Sequence, residues 1–128
     1  MLLLRIKLLF MQALCRGENM SCHEFAILEE APAKGKRFDE YTPHVYNCIS
    51  VDDEHIEAVV LKLNDIEFCW HSTDVKGKGL AYCGITLIPP LSLYPFYDII
   101  KNKSNLSELA KLTANAIKDN KWMIHFGL

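Results

Sequence analysis

The 128-residue sequence predicts an α+β domain, a two-layer sandwich in which a mixed five-stranded sheet carries its helices on one face. Three observations lead there. Short stretches of alternating apolar and polar residues mark strands. Longer stretches with apolar residues at i, i+3, i+4 and i+7 mark helices that bury one side. One strand keeps a polar face, so helical cover is expected on one side of the sheet only.

The elements follow in chain order. Residues 23–30 set Phe25 and Ile27 against Ala26 and Leu28 and form a first strand. Pro32, Gly35 and Pro43 break residues 31–44 into a long loop, and residues 45–50 form a second strand. Ser50-Val51-Asp52-Asp53 has the form of a capping box with Asp in the Glu position. It opens a helix to about Asn64, with Ile56, Val59, Val60 and Leu63 on one face. Residues 66–71 set Ile66, Phe68 and Trp70 against Glu67, Cys69 and His71. The glycine-rich turn 72–79 predicts a hairpin to a strand over 80–88, which Pro89-Pro90 stops. Pairing Phe68 with Cys83 gathers Ile66, Ile85, Trp70 and Ala81 on one side and turns Cys69 and Cys83 to opposite faces.

Ser92 is placed to cap a helix through about Lys101, with Pro95 tolerated in its first turn. Asn105, with Glu108 three residues on, is placed to cap another helix to about Asn120. Residues 121–126 close the chain as a strand with Trp122, Ile124 and Phe126 on one side. The order is β-β-α-β-β-α-α-β. It predicts a right-handed crossover that makes the strands at 45–50 and 66–71 parallel neighbours.

The boundary of the domain is read from the first residues. Residues 1–15 are apolar, but Arg5 and Lys7 interrupt the run and no small-residue cleavage site follows, so a signal peptide fits poorly. Leu14 before Cys15 is too bulky for a lipoprotein site, and the stretch is too short to span a membrane. Arg16-Gly17-Glu18-Asn19-Met20 can be encoded by a purine-rich bacterial ribosome-binding site just ahead of a start codon. Residues 1–19 are therefore expected to be a translated leader or a loosely packed segment, with residues 20–128 as the domain. The alternative is an amphipathic helix packed on that domain.

Composition excludes some classes. A net charge of −2 gives no surface suited to nucleic acid. The five cysteines are odd in number and contain no Cys-x-x-Cys pair. They read as reduced, mostly buried thiols of a cytoplasmic protein.

The candidate site comes from topology, because ligands of βαβ units bind beyond the carboxyl ends of the parallel strands. Those ends carry Asp52 and Asp53 on one side and His71 and Asp74 on the other, with His55 one turn into the helix. His71, Asp74 and Asp52 are the expected acid–base residues. Asp52, Asp53, His55 and His71 are the oxygen and imidazole donors that could hold a divalent metal, and no other cofactor is implied. The same residues also have an ordinary structural explanation, since Asp suits a helix N-terminus and Ser72-Thr73-Asp74 suits a turn. A zinc site from Cys69, His71 and Cys83 fails on the expected register. Lys34-Gly35-Lys36-Arg37 and Lys76-Gly77-Lys78-Gly79 match no phosphate-loop pattern and are expected at opposite ends of the sheet.

Two functions follow. The first is a small binding or regulatory domain that acts through protein contacts. A helix at 92–101 buries one face only, which leaves Leu91 and Tyr94, with Tyr97 beside them, for a protein partner or a second copy; the alternative is that the preceding loop folds back and buries them. The second is a metal-assisted or acid–base enzyme at the Asp52/Asp53/His71/Asp74 edge.

Overall fold

All four residues of Met123–Phe126 are buried, which requires a neighbour on each edge and cover on both faces. The computed structural model, which describes residues 21–128, supplies all of these. Its strands are β1 (Cys22–Ile27), β2 (Ile49–Asp52), β3 (Glu67–Trp70), β4 (Lys76–Lys78), β5 (Ile85–Ile88) and β6 (Met123–Phe126). The α-helices are α1 (Asp53–Glu57), α2 (Val60–Leu63), α3 (Pro90–Ile100) and α4 (Ser107–Lys118). The strands form a six-stranded sheet in the order β2-β1-β6-β5-β3-β4, with β6 between β1 and β5. Every pairing is antiparallel. The expected leader, residues 1–19, and the expected start at Met20 lie outside the described residues.

The α+β class stands, and the topology differs from the expectation. The sheet has six strands rather than five, and it is antiparallel rather than mixed. β2 and β3 are not neighbours. β2 is an edge strand paired with β1, and three strands separate it from β3. The crossover rule applies to strands that lie side by side, and here the last strand of the chain enters between the two halves. The alternation in β6 cannot show this, because Met-Ile-His-Phe looks the same at an edge and at the centre.

Two cores explain why both faces of the sheet are dry. On one face Phe25, Phe68, Ile88 and Met123 meet Ile56, Leu63, Leu93, Phe96 and Leu109 from the helical side. Each such side chain, fully buried, contributes roughly 1.5–3 kcal/mol. On the other face Ala26, Cys69, Leu87, Ile124 and Phe126 form a second cluster, against which Phe38, Tyr46 and Cys48 pack. The long loop after β1 is therefore the second layer of cover. Tyr41 and Tyr46 bring their rings to 5.4 and 5.7 Å from that of Phe126. The polar face expected for β3 is accordingly not open, and Cys69 is fully buried there.

The hairpin register also differs. Cys69 is opposite Leu87 and Trp70 opposite Thr86, not Ala81. Ile85 consequently shares a face with Cys69 instead of joining Phe68. With apolar cover on both faces, alternation does not select the register. The three residues expected to cap helices serve tertiary contacts instead. Ser50 Oγ donates to Glu24 Oε1 at 3.0 Å, Ser92 Oγ donates to the Glu67 carbonyl at 2.6 Å, and Asn105 Nδ2 donates to His55 Nδ1 at 3.0 Å. The thiols are not all reduced. Cys22, Cys48 and Cys69 keep their thiols, and Cys83 is disulfide-bonded. No helix among the described residues is long and apolar enough to cross a membrane.

The chain end is locked against the segment before β5. Gly127 N donates to the Gly84 carbonyl at 2.8 Å and Leu128 N to the Tyr82 carbonyl at 2.9 Å. A Cβ at Gly127 would overlap the Tyr82 carbonyl, which is backbone and cannot swing aside. Gly127→Ala is expected to lower the unfolding free energy in a urea titration by about 1–3 kcal/mol. A change of only a few tenths would contradict this packing.

Candidate functional site

A continuous chain of polar side chains runs through the helix-side core. Strand alternation puts His23 of β1 and His125 of β6 on the same face as Phe25 and Met123. Thr86 of β5 is directly opposite His125. Asp53 follows β2 as the first residue of α1, and its backbone N–H is held by the Ser21 carbonyl at 2.9 Å. Tyr82 comes from the segment between β4 and β5. His23, His125 and Thr86 are fully buried, and Asp53 and Tyr82 nearly so.

The contacts run in sequence. Thr86 Oγ1 lies 3.0 Å from His125 Nδ1, His125 Nε2 lies 2.8 Å from His23 Nδ1, and His23 Nε2 lies 2.9 Å from Asp53 Oδ1. Tyr82 donates its hydroxyl to the same Asp53 oxygen, and Ala81 N donates to Thr86 Oγ1 at 2.9 Å. A carboxylate only accepts, so His23 carries hydrogen on Nε2 and a neutral His23 accepts at Nδ1. His125 then carries hydrogen on Nε2 and accepts the Thr86 hydroxyl at Nδ1. Every donor in the neutral chain points toward Asp53. Burial, followed by the neighbouring His23, pushes the His125 imidazole well below its usual range.

Sequence reading missed His23, Tyr82, Thr86 and His125. The available signal was a histidine on the apolar face of each of two strands. It could be seen only once β1 and β6 were known to be neighbours.

The expected site residues fall into separate contacts. His71 adopts the left-handed region, at φ 64°. Its Nδ1 lies 2.9 Å from the Phe38 carbonyl, and its Nε2 accepts from Ile85 N at 3.4 Å. Its acidic neighbour is Asp39, at 3.3 Å, rather than Asp74. The Arg37 guanidinium hydrogen-bonds Asp39 and holds its carboxyl below the usual range, with a smaller contribution from His71. Asp74 accepts no part of this; its backbone N–H is bonded to Ser72 Oγ at 3.2 Å. The basic loop nonetheless approaches the Asp74 turn, since a Cβ at Gly35 would sit 3.4 Å from Asp74 Oδ2. This differs from the expectation that the two Lys-Gly-Lys loops lie at opposite ends.

Asp53 turns inward to His23, while Asp52 stays outside. Asp52, Glu54 and His55 offer donor atoms within 4.8 Å of one another beside a cavity of about 150 Å³. His55 is held by Asn105 on one ring nitrogen and lies 4.0 Å from Asp52 on the other. These three residues are the donors that could meet a cation at that edge. A wider cleft of about 730 Å³ lies elsewhere, between the end of β1 and the long loop. Its walls include Leu28, Phe38, Tyr46 and Leu112, with Glu30 and Lys36 among its polar groups. Cys48 is no nucleophile at neutral pH, because burial and then Glu24 push its thiol up to about 11. Comparison with protein-family models, curated proteins and solved structures finds no match.

His71 pins the long loop to the sheet, since Phe38 N also donates to the His71 carbonyl at 2.7 Å. His71→Ala is expected to cost about 1–2 kcal/mol and to speed amide exchange at Phe38. His71→Asn, which tolerates the left-handed backbone, should cost less. Unchanged exchange at Phe38 in the alanine variant would contradict the pinning role.

Proposed function

We propose that the domain is a non-enzymatic contact module that pairs with a second copy of itself through the outer face of α3. The observation that carries this reading is exposure. Leu91 is 84% and Tyr94 55% exposed, on a helix whose other face buries Leu93, Phe96 and Ile100. The exposed stripe continues at helical spacing to Asp98 and to Lys101, which pair at 3.1 Å. Tyr97 borders this stripe, packs partly against the core and has the Lys101 ammonium 6.0 Å from its ring.

Charge and register favour a second copy as the occupant. Two α3 helices crossing antiparallel at the level of Phe96 would set each Tyr94 hydroxyl against Asp98 of the other copy. Each Leu91 would lie along the alkyl stem of the other Lys101. Such a contact is self-complementary, as a two-fold interface must be. The charge of −2 supports protein rather than nucleic-acid contacts. For location, the thiols of Cys22, Cys48 and Cys69 support a cytoplasmic setting, and the Cys83 disulfide counts against it.

The acid–base or metal-assisted alternative at the Asp52/Asp53/His71/Asp74 edge is less well supported. A general base needs a ring nitrogen within reach of a substrate. Both ring nitrogens of His71 and of His23 face protein groups.

Light scattering on a sizing column, from about 10 µM to about 1 mM protein, tests the module. The wild type should move toward the dimer mass as concentration rises. Leu91→Glu and Tyr94→Ala should stay monomeric with an unchanged thermal midpoint, because both side chains are exposed. A wild type that remains monomeric throughout would overturn the self-pairing.

A further inference from the structure

We propose that the His23–His125 pair is a one-proton acid switch: it accepts one proton with the sheet intact and cannot accept a second without parting β1 from β6. The hydrogen-bond geometry sets this limit when Asp53 is a carboxylate. The two rings meet through His23 Nδ1 and His125 Nε2 at 2.8 Å, a gap that holds one hydrogen. When the pair gains a proton, the remaining ring position is His125 Nδ1, whichever ring then carries the charge. Thr86 Oγ1, 3.0 Å away, must turn from donor to acceptor there. It can do so, because a hydroxyl oxygen accepts twice and its other donor is Ala81 N. Its own hydrogen then loses His125 as acceptor. A second proton would put N–H groups head to head across the 2.8 Å gap, and the pair would have to separate.

The surroundings isolate the pair. Among the described residues, the titratable groups facing it are Asp53 from α1 and Tyr82 from the segment before β5. β5 presents Thr86, β2 presents Val51, and α3 and α4 present apolar side chains and Thr113 to the same core. Asp53 and Tyr82, which close the chain at the end opposite His125 Nδ1, are only 7% and 8% exposed.

The depressed His125 imidazole fixes the sign. The unfolded chain titrates near 6.5 and the folded site lower, so the unfolded state binds more protons between the two values. Stability is therefore full above about pH 6.5 and is lost as pH falls below it.

The test follows the thermal midpoint from about pH 7.5 to about pH 5 for the wild type and for His125→Gln. The glutamine can still donate to His23 and accept from Thr86, but it takes up no proton. The wild type should fall by roughly 5 °C more than the variant over this range. An equal fall in both would overturn the proposal. Histidine-ring nitrogen spectra of the wild type near pH 5 provide a readout that does not depend on the variant folding. As the pH falls, one ring of the pair and no more should become an imidazolium while the protein remains folded. Two imidazolium rings in the folded protein would overturn the proposal.

Discussion

The hydrogen bond between His23 and His125 is the constraint on which the rest of the architecture depends. It joins β1 to β6 inside the core, and its two extensions reach β5 through Thr86 and α1 through Asp53. Leaving any of these polar groups unpaired inside the core would cost about 1–3 kcal/mol. The fold therefore favours the complete chain over any partial one. Completing it requires β6 to sit between β1 and β5, with His125 opposite Thr86 on one side and Phe25 on the other. An apolar strand of similar length could slip by two residues and keep its buried face. A strand carrying His125 cannot.

The second constraint acts on the opposite face. Phe126, Ile124, Leu87 and Cys69 need cover, and the long loop provides it in place of a helix. A loop has no ladder to hold it, so it is fastened at points: Phe38 to His71 through two hydrogen bonds, and the Tyr41 and Tyr46 rings to Phe126. His71 adopts the left-handed backbone at the end of β3 in order to meet this loop. His71, the residue that looked most like a catalytic group, holds this loop to the end of β3. On the outer side of α3, Leu91 and Tyr94 remain largely exposed.

How much of this was legible in the sequence follows from what each pattern encodes. The helical stripe of Leu93, Phe96 and Ile100 identified both the buried face of α3 and the exposed Leu91 and Tyr94, because burial on a helix is set by local spacing. The strands at 22–27, 67–70 and 123–126 were also legible, but their neighbours were not, since alternation records which face is buried and not which strand lies alongside. The apparent caps Ser50, Ser92 and Asn105 misled for a related reason. A hydroxyl or amide suits a cap and a tertiary bond equally, and only the folded partner decides. Of the residues expected at the site, Asp53 belongs to the buried chain, and its partners His23 and Tyr82 lie 30 and 29 residues away along the sequence.

The most direct test of this account is a nitrogen–proton correlation spectrum of the histidine rings of the folded protein at about pH 7.5. His23 and His125 should both carry hydrogen on Nε2, with Nδ1 of each showing the shift of an accepting nitrogen. Hydrogen on Nδ1 of His125, or exchange between tautomers at that ring, would contradict the directed chain from Thr86 to Asp53.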